Sequence, residues 1–258
     1  MSTPAQRFVA IMEALSNVSQ VGSTANEIVQ RANLTSSTGY RMLAELEELG
    51  LVHRIGDRKL VANFNFERQV RHPGLDPKEL AYLCKKISLE LTSSSEIVVQ
   101  SGQNLFWHIV QQHEDQAIRP RAYPGFTRGS YELDSLSRMA LAHCNLAKIR
   151  REWDTSCFFS TGMSPRELDW AEAKRMITDV DPLGVEFDLL GNAQGIRRFC
   201  AAVHAPSGEL ACLLTVAEAA TPLRDQNAHV AKITNLLVAA KAQVEQGSLP
   251  RRPVLPYR

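Results

Sequence analysis

The run Leu34-Thr35-Ser36-Ser37-Thr38-Gly39-Tyr40-Arg41-Met42-Leu43-Ala44-Glu45-Leu46-Glu47-Glu48-Leu49-Gly50 decides how the N-terminal part of the chain is read. It predicts a helix after Thr35. Tyr40, Leu43, Leu46 and Leu49 recur every three residues as an apolar stripe, and Gly50 supplies the left-handed residue that closes a helix. Just upstream, Thr24 with Glu27 three residues on forms a capping box, opening a short helix that carries Ile28, Val29 and Ala32 and stops at Asn33. Further upstream, Thr3-Pro4 opens a helix with Phe8, Ile11, Met12 and Leu15 on one face. Downstream, Leu51 to Ile55 and Leu60 to Phe66 read as two strands around the turn Gly56-Asp57-Arg58-Lys59. Three helices and a hairpin within residues 1–66 predict a winged helix-turn-helix domain.

In that arrangement the third helix enters the major groove by its N-terminal end. Thr35, Ser36, Ser37, Thr38, Tyr40 and Arg41 stand there, hydroxyls and a cation suited to phosphates and base edges. Arg54, Arg58 and Lys59 lie in or beside the wing as further candidate DNA contacts. The competing reading is a helical module with a β-ribbon used for protein contacts. Charge alone does not separate the two: residues 1–66 hold six cations and six acids, and the whole chain has a net charge of +1. Placement favours DNA, because Glu45, Glu47 and Glu48 cluster at the far end of the third helix.

The remaining chain is long enough for a second domain, since the full sequence has 258 residues, 44% of them apolar. Arg68 to Asp76 reads as a polar link containing Pro73 and Gly74. Asp76-Pro77 then starts a connecting helix with Leu80, Leu83, Cys84, Ile87 and Leu91 on one face, completing a connector over 67–92. From Glu96 the period becomes that of strands: Ile97 to Val99, then Leu105 to Val110. A helix is expected from Asp134 through Leu146, and another from the capping box Ser164-Pro165-Arg166-Glu167. Strands return at Gly184–Leu190, Ile196–Ala205 and Leu210–Ala217, the last two joined by Pro206-Ser207-Gly208. A final helix bearing Val230, Ile233, Leu237, Ala240 and Val244 ends at Gly247. This order predicts an α+β protein whose second domain, 93–247, is a mixed α/β sensor, followed by a disordered tail at 248–258.

Cys84, Cys144, Cys157, Cys200 and Cys212 form no C-x-x-C pair, so a disulfide framework or zinc knuckle is not expected and a reducing compartment is. No apolar run approaches the roughly 20 residues that span a bilayer, and no signal-peptide pattern opens the chain. A cytoplasmic protein without membrane attachment is expected. The histidines are scattered, no nucleotide-binding or hydrolase motif is present, and neither metal nor cofactor is expected. Cys200 and His204, four apart on one strand, could share a face, although no third orienting group accompanies them; the alternative reading is a small-molecule-binding or hydrolytic enzyme with a helical protein-interaction module.

The Ser-Thr-x-Tyr-Arg-x-Leu core at Ser37–Leu43 and the Leu-x-x-Leu-Gly ending at Leu46–Gly50 resemble the recognition helix of the IclR family of bacterial transcriptional regulators. Gly39 replaces the family's usual β-branched residue and is expected to cost that helix about 1 kcal/mol. Thr35 and Ser36 stand where the family often has proline and lysine. The resemblance continues through Gly125–Ala142, Pro182-Leu183-Gly184 and Gly195–Val216, although Asp134-Ser135-Leu136-Ser137-Arg138 departs from the family's Ala-x-Gly-Lys helix start. It implies a homodimer or homotetramer on a double-stranded operator and a GAF-like effector-binding domain for a small organic acid or aromatic compound. The helix after the DNA-binding domain would help hold two chains together. Carried over by position, the effector contacts fall at Ser135, Leu136, Asp188, Arg198, Thr215 and Ala217.

Arg198 is the most informative of these. It neighbours Arg197 in an apolar strand, and alternation sends the two to opposite faces, so one of them must point inward unless the strand is at an edge, and an inward arginine needs a partner. Asp188, Glu186 or a ligand carboxylate are the expected partners. Leu136, Cys200, Leu214 and Phe126 are the expected apolar walls around a bound acid. Asp134, as N-cap, is expected to occupy the positive end of its helix, leaving a ligand carboxylate to Arg198.

Overall fold

A computed structural model describes residues 3–19, 21–56, 58–66, 76–116 and 118–246. The expected connector segment 68–75, the helix end at Gly247 and the tail 248–258 lie outside the described residues. The chain divides into two compact units, within residues 1–67 and 68–258.

The first unit contains α1 (Pro4–Ser16), β1 (Ser23–Thr24), α2 (Ala25–Arg31), α3 (Ser36–Glu48), β2 (Val52–Ile55) and β3 (Lys59–Ala62). Both expected N-caps form: the Thr3 and Thr24 hydroxyls accept from the backbone N–H of Gln6 and Glu27, whose side chains reciprocate. The bend between α2 and α3 is a Schellman closure. Asn33 takes φ 51°, Leu34 N–H reaches Val29 O at 3.2 Å, and Asn33 N–H reaches Gln30 O at 3.0 Å. Gly50 closes α3 the same way, with Leu51 N–H on Leu46 O at 2.9 Å and Gly50 N–H on Glu47 O at 3.0 Å. Ile11, Leu15, Ile28, Val29, Leu43, Leu46, Val52 and Leu60 make one buried core.

Two sequence expectations change here. Tyr40 and Leu49, assigned to the apolar stripe of α3, are 46% and 71% exposed, so the buried stripe is Gly39, Leu43 and Leu46. The expected strand Leu60–Phe66 ends at Ala62, and the wing gains a third strand because Ser23 and Thr24 pair with Leu60 and Lys59.

The second unit begins with α4 (Pro77–Leu91), followed by β4 (Ser94–Ser101), β5 (Asn104–Gln111), β6 (Thr127–Gly129), β7 (Glu132–Leu133), α5 (Ser135–Ala142) and α6 (Leu146–Glu152). It continues with β8 (Phe159–Ser160), α7 (Trp170–Thr178), β9 (Val185–Phe187), β10 (Ile196–His204), β11 (Leu210–Ala219) and α8 (Gln226–Glu245). Six strands form an antiparallel sheet in the order β6-β5-β4-β11-β10-β9. Alternation along β10 and β11 sends Phe199, Ala201, Val203, Leu214 and Val216 into a core with α4 and α8, and Cys200, Ala202 and Leu213 into a second core with α5. The connecting helix expected at the domain junction is therefore a layer of this unit: Leu80, Leu83, Cys84 and Ile87 are all buried against the sheet side that α8 also covers.

Two helix boundaries are corrected. The helix expected through Leu146 ends at Ala142, and α6 restarts with Asn145 accepting from Ala147 N–H. No helix starts at Ser164. Phe158 O accepts from Leu168 N–H at 2.8 Å and Ser160 N–H reaches Arg166 O at 2.8 Å, so residues 166–168 pair as extended chain. The capping box that forms is Asp169 with Glu172, and it opens α7 at Trp170.

Candidate functional site

On the first unit, the N-terminal part of α3 is open to solvent. Thr35, Ser36, Ser37, Tyr40 and Arg41 are exposed, whereas Thr38 is half-buried and its hydroxyl accepts from that of Thr35 at 3.0 Å. Arg41 approaches Glu45 at 3.8 Å with both side chains largely exposed, a pair too loose to hold the cation from another anion. Arg58 and Lys59 are exposed in the wing. Arg54 is placed differently from expectation. It lies on β2, but Nε and Nη2 donate to the two Glu47 carboxylate oxygens at 2.8 and 2.9 Å, turning the guanidinium toward the acidic end of α3. Gly39 also gains a reason: a Cβ there would sit 2.4 Å from Val29 Cγ2, so glycine lets α3 approach α2 closely.

On the second unit, a cavity of about 630 Å³ opens beside β5, β10 and the start of α5. Trp107 and Phe126 supply its aromatic wall, packed edge to face with centroids 5.0 Å apart. Arg119, Arg121, Arg128 and Arg198 line it against the acids Glu132 and Asp134, so cations outnumber acids on its surface.

Arg198 points into this cavity from β10. Its guanidinium makes a single hydrogen bond among the described residues, and a long one, Nε to Glu96 Oε2 at 3.5 Å. Glu96 on β4 is fully buried, and the same oxygen accepts from Trp107 Nε1 at 2.9 Å and Thr215 Oγ1 at 3.2 Å. The partners expected for Arg198 belong instead to Arg138 of α5, which meets Glu186 at 2.5 Å and Asp188 at 2.9 Å. Burial raises the Asp188 carboxyl above its usual range, with Arg138 only partly offsetting it. Arg197 faces the other way, as alternation requires, and is the more buried of the two: it donates to Leu189 O at 2.7 Å, Glu218 at 2.9 Å and Thr221 O at 2.8 Å.

Arg128, like Trp107, Arg119 and Arg121, lines the cavity and was missed by sequence reading. It meets Asp134 at 2.5 Å and Glu132 at 3.6 Å, and its guanidinium carbon lies 5.8 Å from the Trp107 ring centroid. Burial would raise the Asp134 carboxyl, but Arg128, aided by Arg198, more than offsets this and holds it below the ordinary carboxylate range. Asp134 also caps α5 through Ser137 N–H at 3.0 Å, and Asp188 takes Ser135 N–H at 2.5 Å. The positive end of α5 is thus doubly occupied from within the chain. The local signal for Arg128 was its position two residues from Phe126 in a short strand that periodicity does not reveal.

Of the effector residues expected from sequence, Phe126 and Arg198 line the cavity. Ser135 and Asp188 hold the start of α5, and Thr215 supports Glu96. Leu136 and Cys200 are fully buried in the core beneath, and Ala217, also fully buried, lies opposite Arg198 in the sheet. Leu214 does not belong with Cys200: it faces the α4 and α8 layer, because neighbours Leu213 and Leu214 alternate. The Cys200–His204 pair does not form. A bulge falls between Val203 and His204, His204 bonds His143 and Glu245, and burial drives the Cys200 thiol well above its ordinary range. Among the described residues, no three His, Cys, Asp or Glu side chains converge as metal ligands would, and no helix is long and apolar enough to cross a membrane.

A comparison with curated proteins finds no match. Solved structures share the fold along almost the full chain. An IclR homologue from Microbacterium hydrocarbonoxydans, complexed with 4-hydroxybenzoate, is similar with TM-score 0.64 and 18% identity, over 95% of this chain and 98% of that one. An IclR-type regulator from Alicyclobacillus acidocaldarius gives TM-score 0.64 at 16% identity, covering 96% and 100%. The Thermotoga maritima IclR gives 0.61 at 15%, covering 94% and 97%. In sequence, residues 4–56 match the IclR helix-turn-helix domain. Residues 4–56 are therefore an IclR helix-turn-helix domain, carried on a chain that folds as the IclR-family transcriptional regulators do.

Proposed function

We propose that the protein is a cytoplasmic, DNA-binding transcriptional regulator whose second unit binds a small organic acid and thereby alters operator binding. One winged helix reads only a half-site, so the reading includes a homodimer or homotetramer on a two-part operator. Ser36, Ser37, Tyr40 and Arg41 face the groove in this reading, with Thr35 and Thr38 at the helix start. Arg58 and Lys59 hold phosphates, while Arg54 takes part only by exchanging Glu47 for a phosphate. The alternative, a small-molecule-binding or hydrolytic enzyme with a helical interaction module, finds no support in Cys200 and His204, which serve different clusters.

The observation that carries the ligand class is the state of Arg198: it lines an aromatic-walled cavity with its guanidinium held by one long hydrogen bond. A carboxylate can take that guanidinium in a two-point fork, and Trp107 and Phe126 suit an apolar or aromatic body. Benzoate-type and aliphatic acids, beginning with 4-hydroxybenzoate, should raise the melting temperature in a thermal-shift screen, because a ligand that binds only the native state stabilises it. Arg198→Ala should abolish the shift, and the corresponding amides should not reproduce it. Stabilisation by uncharged compounds alone, or an unchanged response in Arg198→Ala, would remove the acid from the reading.

A further inference from the structure

A second polar cluster lies away from the cavity. His143 follows the last residue of α5, and His204 ends β10 beyond its bulge. Their Nε2 atoms meet tip to tip at 2.9 Å, with ring centroids 5.0 Å apart. The outer nitrogens are also engaged. His143 Nδ1 lies 2.9 Å from Met139 O, and His204 Nδ1 lies 2.9 Å from Glu245 Oε1 on α8. The same glutamate oxygen accepts the His204 backbone N–H at 2.7 Å.

These contacts fix a proton count. A carbonyl and a carboxylate only accept, so each Nδ1 must carry a proton. The contact between the two Nε2 atoms needs one donor and one acceptor. Three protons on four ring nitrogens leave the pair with a single positive charge. Burial disfavours a charge on His143, and His204 and Lys241 add to that effect against the Met139 carbonyl. Glu245 is the carboxylate in contact with the pair, and it touches the His204 ring, so the geometry places the charge there. The other groups around the pair are Lys241 on α8, 3.9 Å from Glu245, and the Cys144 and Cys212 thiols, both kept protonated by burial.

We propose that His143, His204 and Glu245 form a clasp that closes only while the two rings share one positive charge, tying the C-terminal end of α5 to α8 within a limited pH window. A second proton sets two N–H groups against each other. Loss of the shared proton breaks either the bond between the rings or the one to Glu245. The opposite end of α5 begins at Asp134, on the cavity wall, so the clasp holds the far end of the helix that shapes the cavity.

The pH dependence follows from the count. In the unfolded chain both histidines titrate near about pH 6.5. Above that pH the unfolded pair holds less than one extra proton and the folded pair holds one, so stability falls as pH rises. Below it the unfolded pair holds more than one, so stability falls as pH falls. The clasp's contribution is largest near about pH 6.5. Melting temperatures of the full chain and of His143→Ala, measured between about pH 5 and pH 8.5, should differ most near the middle of that range and converge toward both ends. A difference that is flat or changes in one direction only would overturn the clasp. If His143→Ala does not fold, nitrogen-15 spectra of the unaltered protein decide the matter near neutral pH. They should show His143 protonated at Nδ1 only and His204 protonated at both nitrogens; a His143 proton on Nε2, or two neutral rings, would overturn the proposal. Neither measurement involves DNA or an added acid, so its outcome is independent of the function proposed above.

Discussion

Arg138 and Arg198 stand on facing elements of one unit, and the carboxylates within reach give them different work. Arg138, 8% exposed, is saturated: Glu186, Asp188 and Leu133 O take its guanidinium, which staples α5 to β9 and the chain just beyond it. Replacing it with alanine leaves two half-buried carboxylates without their cation. Arg138→Ala should cost about 3–5 kcal/mol of stability in urea unfolding, and a loss below about 1 kcal/mol would show that the staple is not needed. Arg198 keeps unused capacity, which is why the ligand is assigned to it. That one of Arg197 and Arg198 must turn inward was legible from their alternation in an apolar strand, but not which of them faces the cavity. The partner of Arg198 was not legible either, because Glu96 is 102 residues away and reaches it only through the strand order β4-β11-β10.

At the scale of elements, local chemistry was readable wherever it decided the outcome. The capping boxes at Thr24 and the closures at Asn33 and Gly50 stand where the sequence puts them. The reading failed where a non-local contact won. Ser164-Pro165-Arg166-Glu167 has the pattern of a helix start, yet residues 166–168 pair with residues 158–160, and Asp169 with Glu172 takes the cap. Gly39 is a similar case: helix propensity counts it a defect, but Val29 leaves no room for more. Gly39→Ala should therefore destabilise the first unit, by about 1–3 kcal/mol of overpacking, instead of gaining the roughly 1 kcal/mol that propensity promises. A rise in the urea midpoint would contradict the packing account. In the wing, neutralising Arg58 and Lys59 together should flatten the slope of log K against log salt by about 2, at roughly 0.9 per lost phosphate contact. An unchanged slope would take the wing off the DNA backbone.

At the scale of the molecule, the α+β class and the winged helix-turn-helix followed by a mixed helix and strand unit were legible from element order. The layering was not, since nothing in the period of α4 tells a connecting helix from one that packs on a sheet. Regulation requires that the acid bind more tightly to one DNA-binding state than to another, and linkage makes that preference reciprocal. Most of the account therefore rests on one coupled measurement. Fluorescence anisotropy can follow binding of the protein to a labelled duplex from its own promoter region and to a scrambled duplex, with and without the acid that stabilises it most. The account predicts that the promoter duplex binds at least about 1,000-fold more tightly than the scrambled one at physiological salt, that the acid shifts this affinity, and that Arg198→Ala removes the shift while leaving DNA binding without ligand intact. Equal affinity for both duplexes, or specific binding that no acid alters, would contradict it.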